Sequence, residues 1–167
     1  MLMYAGIIFT LILGVLLHYI FAWSGRNLWV SFIAPTNESY FEHLKLFFTP
    51  YILWTLVEYA HYGQFMHAFI PAKVISLYIG MFLMVFFYWL YTRLISPPSA
   101  KGATLIFAAA VIAAFVIGEF LMTLTFMDHV GLEIFFDGVL VISVLTMIVL
   151  SIYPPQHAFF KSSNKRK

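Results

Sequence analysis

The sequence predicts an all-α fold, a polytopic membrane helix bundle with five transmembrane helices, and three observations carry that prediction. Of the 167 residues, 63% are hydrophobic and 10% charged, with a mean hydropathy of +0.94, far outside the soluble globular range. Five apolar stretches, 3–23, 42–62, 73–95, 102–127 and 134–153, reach the roughly 20 residues a helix needs to cross a bilayer. Breakers punctuate the linkers at Ser24-Gly25, Pro71, Pro97-Pro98 and Pro154-Pro155, where helices end at an interface. Backbone groups in lipid must be satisfied within their own segment, so the spans are helices. Residues 1–155 are read as one transmembrane domain and 156–167 as a basic cytoplasmic tail. There is no cysteine, which removes disulfides, thiolate metal sites and cysteine nucleophiles.

The first stretch has neither a basic start nor a small-residue cleavage pattern, so it is expected to remain as a helix and not to be removed as a signal peptide. Residues 27–35, NLWVSFIAP, are apolar but only about half a span long, which predicts an interfacial or re-entrant segment between the first two helices. A cytoplasmic C-terminus puts Arg26, Lys45, Arg93, Lys101, Lys161, Lys165, Arg166 and Lys167 on the inner side and leaves Lys73 outside. That bias places the N-terminus outside. The outer side then carries Glu58, Asp128, Glu133 and Asp137. A net charge of +2, with bases concentrated at the C-terminus, fits a tail facing anionic lipid and no nucleic-acid partner. The expected partner is the lipid bilayer, with a homo-oligomer left open.

The densest polar run is at residues 37–50, NESYFEHLKLFFTP. Ser39 followed three residues later by Glu42 is a capping box, able to satisfy two backbone donors at a helix start. Glu38, Glu42 and Lys45 share one helical face, so a Glu42–Lys45 ion pair is expected. His43 points about 100° away from that face and needs a partner from another element. His18, about 8 Å before the inner end of the first helix, lies at matching depth. The inner polar cluster is therefore His18, Asn37, Glu38, Ser39, Glu42, His43 and Lys45. Intramembrane ionisable groups are costly and mark function, and imidazole titrates near neutral pH. Asn37-Glu38-Ser39 also reads as a glycosylation sequon, but the inner location argues against its use.

The run APTNESYFEHLKLFFTP, with LLHYIFAWSG upstream and LVEYAHYG downstream, resembles a family of small bacterial membrane proteins known only as a domain of unknown function, with a signature similar to NES-x-x-EH-x-K. The resemblance is specific over about the first third of the chain. It implies that His18, Asn37, Glu38, Ser39, Glu42, His43, Lys45, Glu58 and His61 belong to the family motif, and that the protein sits in a bacterial cytoplasmic membrane. No activity comes with it.

The outer end offers a second set. Glu58 and His61 are neighbours on one helical face, a pairing that supplies metal ligands in some four-helix bundles. Glu119 in the fourth helix and Asp137 in the fifth reach similar depth without a basic residue nearby in sequence, so each must hold a proton or a cation. The outer cluster is Glu58, His61, Glu119 and Asp137. With His129 added from the loop, the same residues are the candidate ligands for a divalent metal, the one cofactor the sequence suggests.

Three function classes remain. Ionisable clusters at both mouths, a half-span segment and Pro50 inside the second helix favour binding or translocation of protons, a cation or a small solute. A membrane-embedded metal-dependent hydrolase or lipid-modifying enzyme would need one cluster to gather about three ligands and an open position. Ser39, His43 and Glu38 could alternatively act as nucleophile, base and orienter. No HExxH or G-x-S-x-G motif is present, so whether the protein is an enzyme stays open. A small accessory or sensor subunit is the third class.

Overall fold

The computed structural model describes residues 1–37, 39–95 and 99–160. Among these there is no strand, and five long helices dominate: α1 (Leu2–Trp23), α2 (Tyr40–His61), α3 (Phe69–Leu94), α4 (Ala100–Met122) and α5 (Val130–Ile152). Glu38, Pro97-Pro98 and the bases from Lys161 onward lie outside the described residues.

Four helices, α1, α3, α4 and α5, are long and apolar enough to cross a membrane. The exception is α2, whose 22 residues include Glu42, His43, Lys45, Glu58 and His61. Its charges turn inward, with Glu42, Lys45 and Glu58 all buried, because its neighbours shield it. Helices α1, α2, α3 and α4 pack as a closed ring of neighbours, while α5 leans on the outside of α3. The ring encloses Phe47, Tyr51, Leu77, Val111 and Phe115.

Antiparallel connections sort the polar residues to two ends. The C-terminus of α1 and the N-terminus of α2 form the Lys45 end; the C-terminus of α2 and the N-terminus of α3 form the Lys73 end. Helix starts follow capping chemistry. Ser39 Oγ accepts from Glu42 N at 3.3 Å and Ser99 Oγ from Gly102 N at 3.1 Å. Helix α3 begins four residues before the predicted 73, since Pro71 sits in the first turn, where its missing N–H is an orphan donor in any case.

Pro50 lies inside α2 without ending it. Proline removes the donor that would have reached the carbonyl of Leu46. Helix α1 backs closely onto that carbonyl: a Cβ built on Gly14 would lie 2.7 Å from Leu46 O. Gly6, Thr10 and Gly14 are all buried and recur every fourth residue, the spacing by which small side chains let membrane helices approach.

Residues 27–35 do not form a span. They contain one 3-10 turn, Val30–Phe32, and fold against α2, where Lys45 Nζ donates to Ser31 O at 2.8 Å and Thr49 Oγ1 donates to Ile33 O at 3.0 Å. Irregular backbone buried in protein is satisfied in this way. Past α5, Phe159 stacks on Tyr40 with ring centres 6.0 Å apart, and Phe160 packs on Phe41 at 4.9 Å.

Candidate functional site

At the Lys45 end the buried base and the buried acid match one to one. Lys45 Nζ donates to both Glu42 oxygens, at 2.9 and 2.8 Å, and its third proton goes to Ser31 O. Glu42 Oε2 also accepts from Thr36 N at 2.7 Å. The ammonium lies 5.5 Å from the centre of the Phe41 ring. With all three donors used and both carboxylate oxygens bonded, the pair fastens the 27–35 segment to α2.

The other residues of this end are partly taken up by local structure. Asn37 Oδ1 accepts from Ser39 N at 2.9 Å, an Asx turn, so Asn37 also serves the helix start. Ser39 Oγ is committed to its cap. His43 Nδ1 lies 2.9 Å from the carbonyl oxygen of Ser39, which makes it the donor and leaves Nε2 for other contacts. The nucleophile arrangement considered for Ser39 and His43 is not formed by these contacts, since the histidine meets the serine carbonyl and not its hydroxyl. His18 and His43 do come together across α1 and α2, their ring centres 5.8 Å apart.

At the Lys73 end the charges do not balance. Lys73 Nζ is 2.7 Å from Glu58 Oε2 and 3.4 Å from Glu119 Oε1, joining α2, α3 and α4. Lys73 is 1% exposed, Glu58 0% and Glu119 39%. The Lys73–Glu58 contact is ionic and off the line of a hydrogen bond, so neither Glu58 oxygen accepts a hydrogen bond among the described residues. The rings of Phe115 and Phe69 face the ammonium at 5.3 and 5.6 Å, within cation–π range. Below it, Ser76 Oγ donates to Lys73 O at 3.0 Å and bonds the Tyr51 hydroxyl at 2.7 Å.

The remaining predicted outer residues stand apart. His61 is exposed, with Nδ1 2.8 Å from Val57 O. Asp137 is exposed on α5, and His129 caps α5 by accepting from Gly131 N at 3.1 Å. Among the described residues, no group of three or more His, Cys, Asp or Glu side chains is placed to hold a metal ion. Beyond the bundle, His67 Nδ1 and Glu133 Oε2 pair at 2.5 Å, and that carboxylate holds the imidazole pKa above its ordinary value.

Among known proteins, a family model matches residues 1–167. The chain belongs to a family of unknown function, DUF6512. No curated protein and no solved structure matches it. The DUF6512 match takes in α3 and α4, and with them Lys73 and Glu119, beyond the first third on which the sequence resemblance rests. It brings no reaction to either cluster, so the chemistry rests on geometry.

Lys73 is the member of the Glu58–Glu119 cluster that the sequence did not single out. The signal was present: one base on an end with several acids, and Glu119 without a partner in its own helix. Burying either charge alone is prohibitive, which points each toward the other.

Proposed function

We propose that this DUF6512 protein is a multi-pass cell-membrane protein that binds a proton, or a small cation in its place, on Glu58, Lys73 and Glu119 and translocates it through the bundle. In this reading α2 is the fifth span, enclosed by the others, with the N-terminus outside and the C-terminus cytoplasmic, as the distribution of lysine and arginine favours.

The observation that carries the reading is the charge count at the Lys73 end. Two carboxylates, one sealed and one partly exposed, face one buried ammonium, so the cluster carries one carboxylate more than its single base can pair. A carboxylate left over after the ammonium is paired is a place for a proton or a cation. Glu119 is the member open enough to exchange it, and Glu58 is sealed. The Lys45–Glu42 pair, by contrast, is matched one to one and fastens residues 27–35 to α2.

Translocation requires movement. The two ends are about 22 Å apart along α2 from His43 to Glu58, and Phe47, Tyr51 and Phe115 fill the space between them. The Tyr51–Ser76 bond is the first polar step inward from the cluster, and beyond it the Phe47 ring stacks on Tyr51 with centres 5.7 Å apart. That closed core favours a second reading, a sensor that binds the proton without passing it on.

Liposomes containing the purified protein and a trapped pH dye separate the two. A transporter collapses an imposed pH gradient faster than empty vesicles, and Glu119→Gln abolishes the difference. Wild-type protein no faster than empty vesicles would overturn translocation.

A further inference from the structure

A groove of about 410 Å³ runs between α2, α3 and α5. It exists because α5 packs on α3 and on the Val30–Phe32 turn, leaving a gap beside α2. Phe48, Met81, Phe82, Val85, Thr146 and Leu150 line it, and Phe159 and Phe160 flank it at the Lys45 end. Its deep end is shut by Tyr78 and Ser143, whose hydroxyls bond at 2.5 Å. Ser143 Oγ donates onward to Val139 O at 2.6 Å, so Tyr78 is the donor of the pair and both hydroxyls are satisfied. The lining therefore asks for hydrocarbon and offers almost nothing to a polar ligand.

A charge stands on the same face of α3, two turns beyond the last α3 residue that lines the groove. On α3 the residues Tyr78, Phe82, Val85, Trp89 and Arg93 follow one another at intervals of three and four, a single helical stripe. Arg93 stands at its end, exposed, with its guanidinium 5.7 Å from the Trp89 ring centre. From Val85 to Arg93 the rise is about 12 Å. An apolar slot leading to positive charge matches one bilayer component, a lipid whose headgroup is negative.

We propose that the groove between α2, α3 and α5 seats an acyl chain of an anionic phospholipid whose phosphate is met by Arg93. The chain lies along the Tyr78–Arg93 stripe, and the headgroup reaches the Lys45 end. Arginine offers a phosphate two parallel donors, and the Trp89 ring lies beside that guanidinium. The lipid would fasten α5 to the ring, which it otherwise touches mainly through α3.

The test is native mass spectrometry of the full chain released from detergent after incubation with equimolar phosphatidylglycerol and phosphatidylcholine of identical acyl chains. Wild-type protein should retain one lipid, phosphatidylglycerol over phosphatidylcholine by about fivefold, the selectivity that one basic contact supplies. Arg93→Gln should keep a lipid and bring the ratio close to one. Thr146→Trp, and independently Leu150→Trp, should fill the groove and remove most of both adducts; circular dichroism establishes that each variant remains helical. A wild type that retains no lipid, or holds both headgroups equally, overturns the proposal. So does an unchanged ratio in Arg93→Gln, or a full lipid load in both helical tryptophan variants.

Discussion

Lys73 and Glu58 meet at 2.7 Å with neither side chain more than 1% exposed, at a point where three helices converge. Removing one partner of such a pair leaves a buried charge with nothing to offset it, which costs about 3–5 kcal/mol. Lys73→Met is therefore expected to lower stability in detergent by that amount. Adding Glu58→Gln to Lys73→Met should recover most of the loss, since the second change removes the stranded charge. Denaturant unfolding of the two variants checks this. Equal stability of Lys73→Met and wild type would mean that the pair contributes nothing.

Lys45 gives a prediction of a different kind. Its ammonium bridges Glu42 and the carbonyl of Ser31, so Lys45→Met should strand Glu42 at a cost of about 3–5 kcal/mol and also detach residues 27–35 from α2. Hydrogen exchange followed by mass spectrometry should show faster exchange at Ser31 to Ala34 in Lys45→Met, with the centre of α3 unchanged. Uniformly faster exchange over the whole chain would contradict a local role.

How much of this was legible in the sequence depended on sequence distance. The Ser39 cap and the Glu42–Lys45 pair lie within one or two helical turns, so period and spacing revealed them. The failure of residues 27–35 to span followed from their length alone. Lys73 and Glu119 are 46 residues apart, on helices whose adjacency follows from the ring order, and no local pattern encodes that order. The same limit hid α2's place within the ring. Its charges mark it as the least lipid-like helix, and the packing of its neighbours explains why it can carry them. Sequence proximity also misleads: Glu58 and His61 share a helical face, yet Glu58 turns to Lys73 while the His61 ring bonds its own helix.

His67 and Glu133 tie the turn before α3 to the first turn of α5. The Glu133 carboxylate raises the His67 pKa, and Asp128 adds to that field. A group whose folded pKa is raised contributes stability below its unfolded value, about 6.5, and that contribution fades as the pH climbs past the higher folded value. Wild type and His67→Ala should therefore differ in melting temperature at mildly acidic pH and converge at alkaline pH. A difference that grows as the pH rises would contradict the assignment.

Gly14 faces both the Leu46 carbonyl and the Phe107 ring, which would lie 2.7 and 2.6 Å from a Cβ at this position. Neither backbone nor a packed aromatic yields easily, so Gly14→Ala should force α1 away from α2 and α4 at a cost of about 1–3 kcal/mol. Gly138, with nothing within 4 Å, is the control: Gly138→Ala should be neutral or slightly stabilising, since it replaces glycine in a helix interior. Thermal melts of both variants in one detergent provide the comparison.

The proposal that Glu58, Lys73 and Glu119 hold a proton is tested most directly by infrared difference spectroscopy of the reconstituted protein across a pH titration. Protonation of the cluster should appear as a carboxyl C=O stretching band in the wild type that disappears in Glu119→Gln and persists in Glu133→Gln. A wild-type spectrum without that band, or one that Glu119→Gln leaves unchanged, would contradict a proton shared at this cluster.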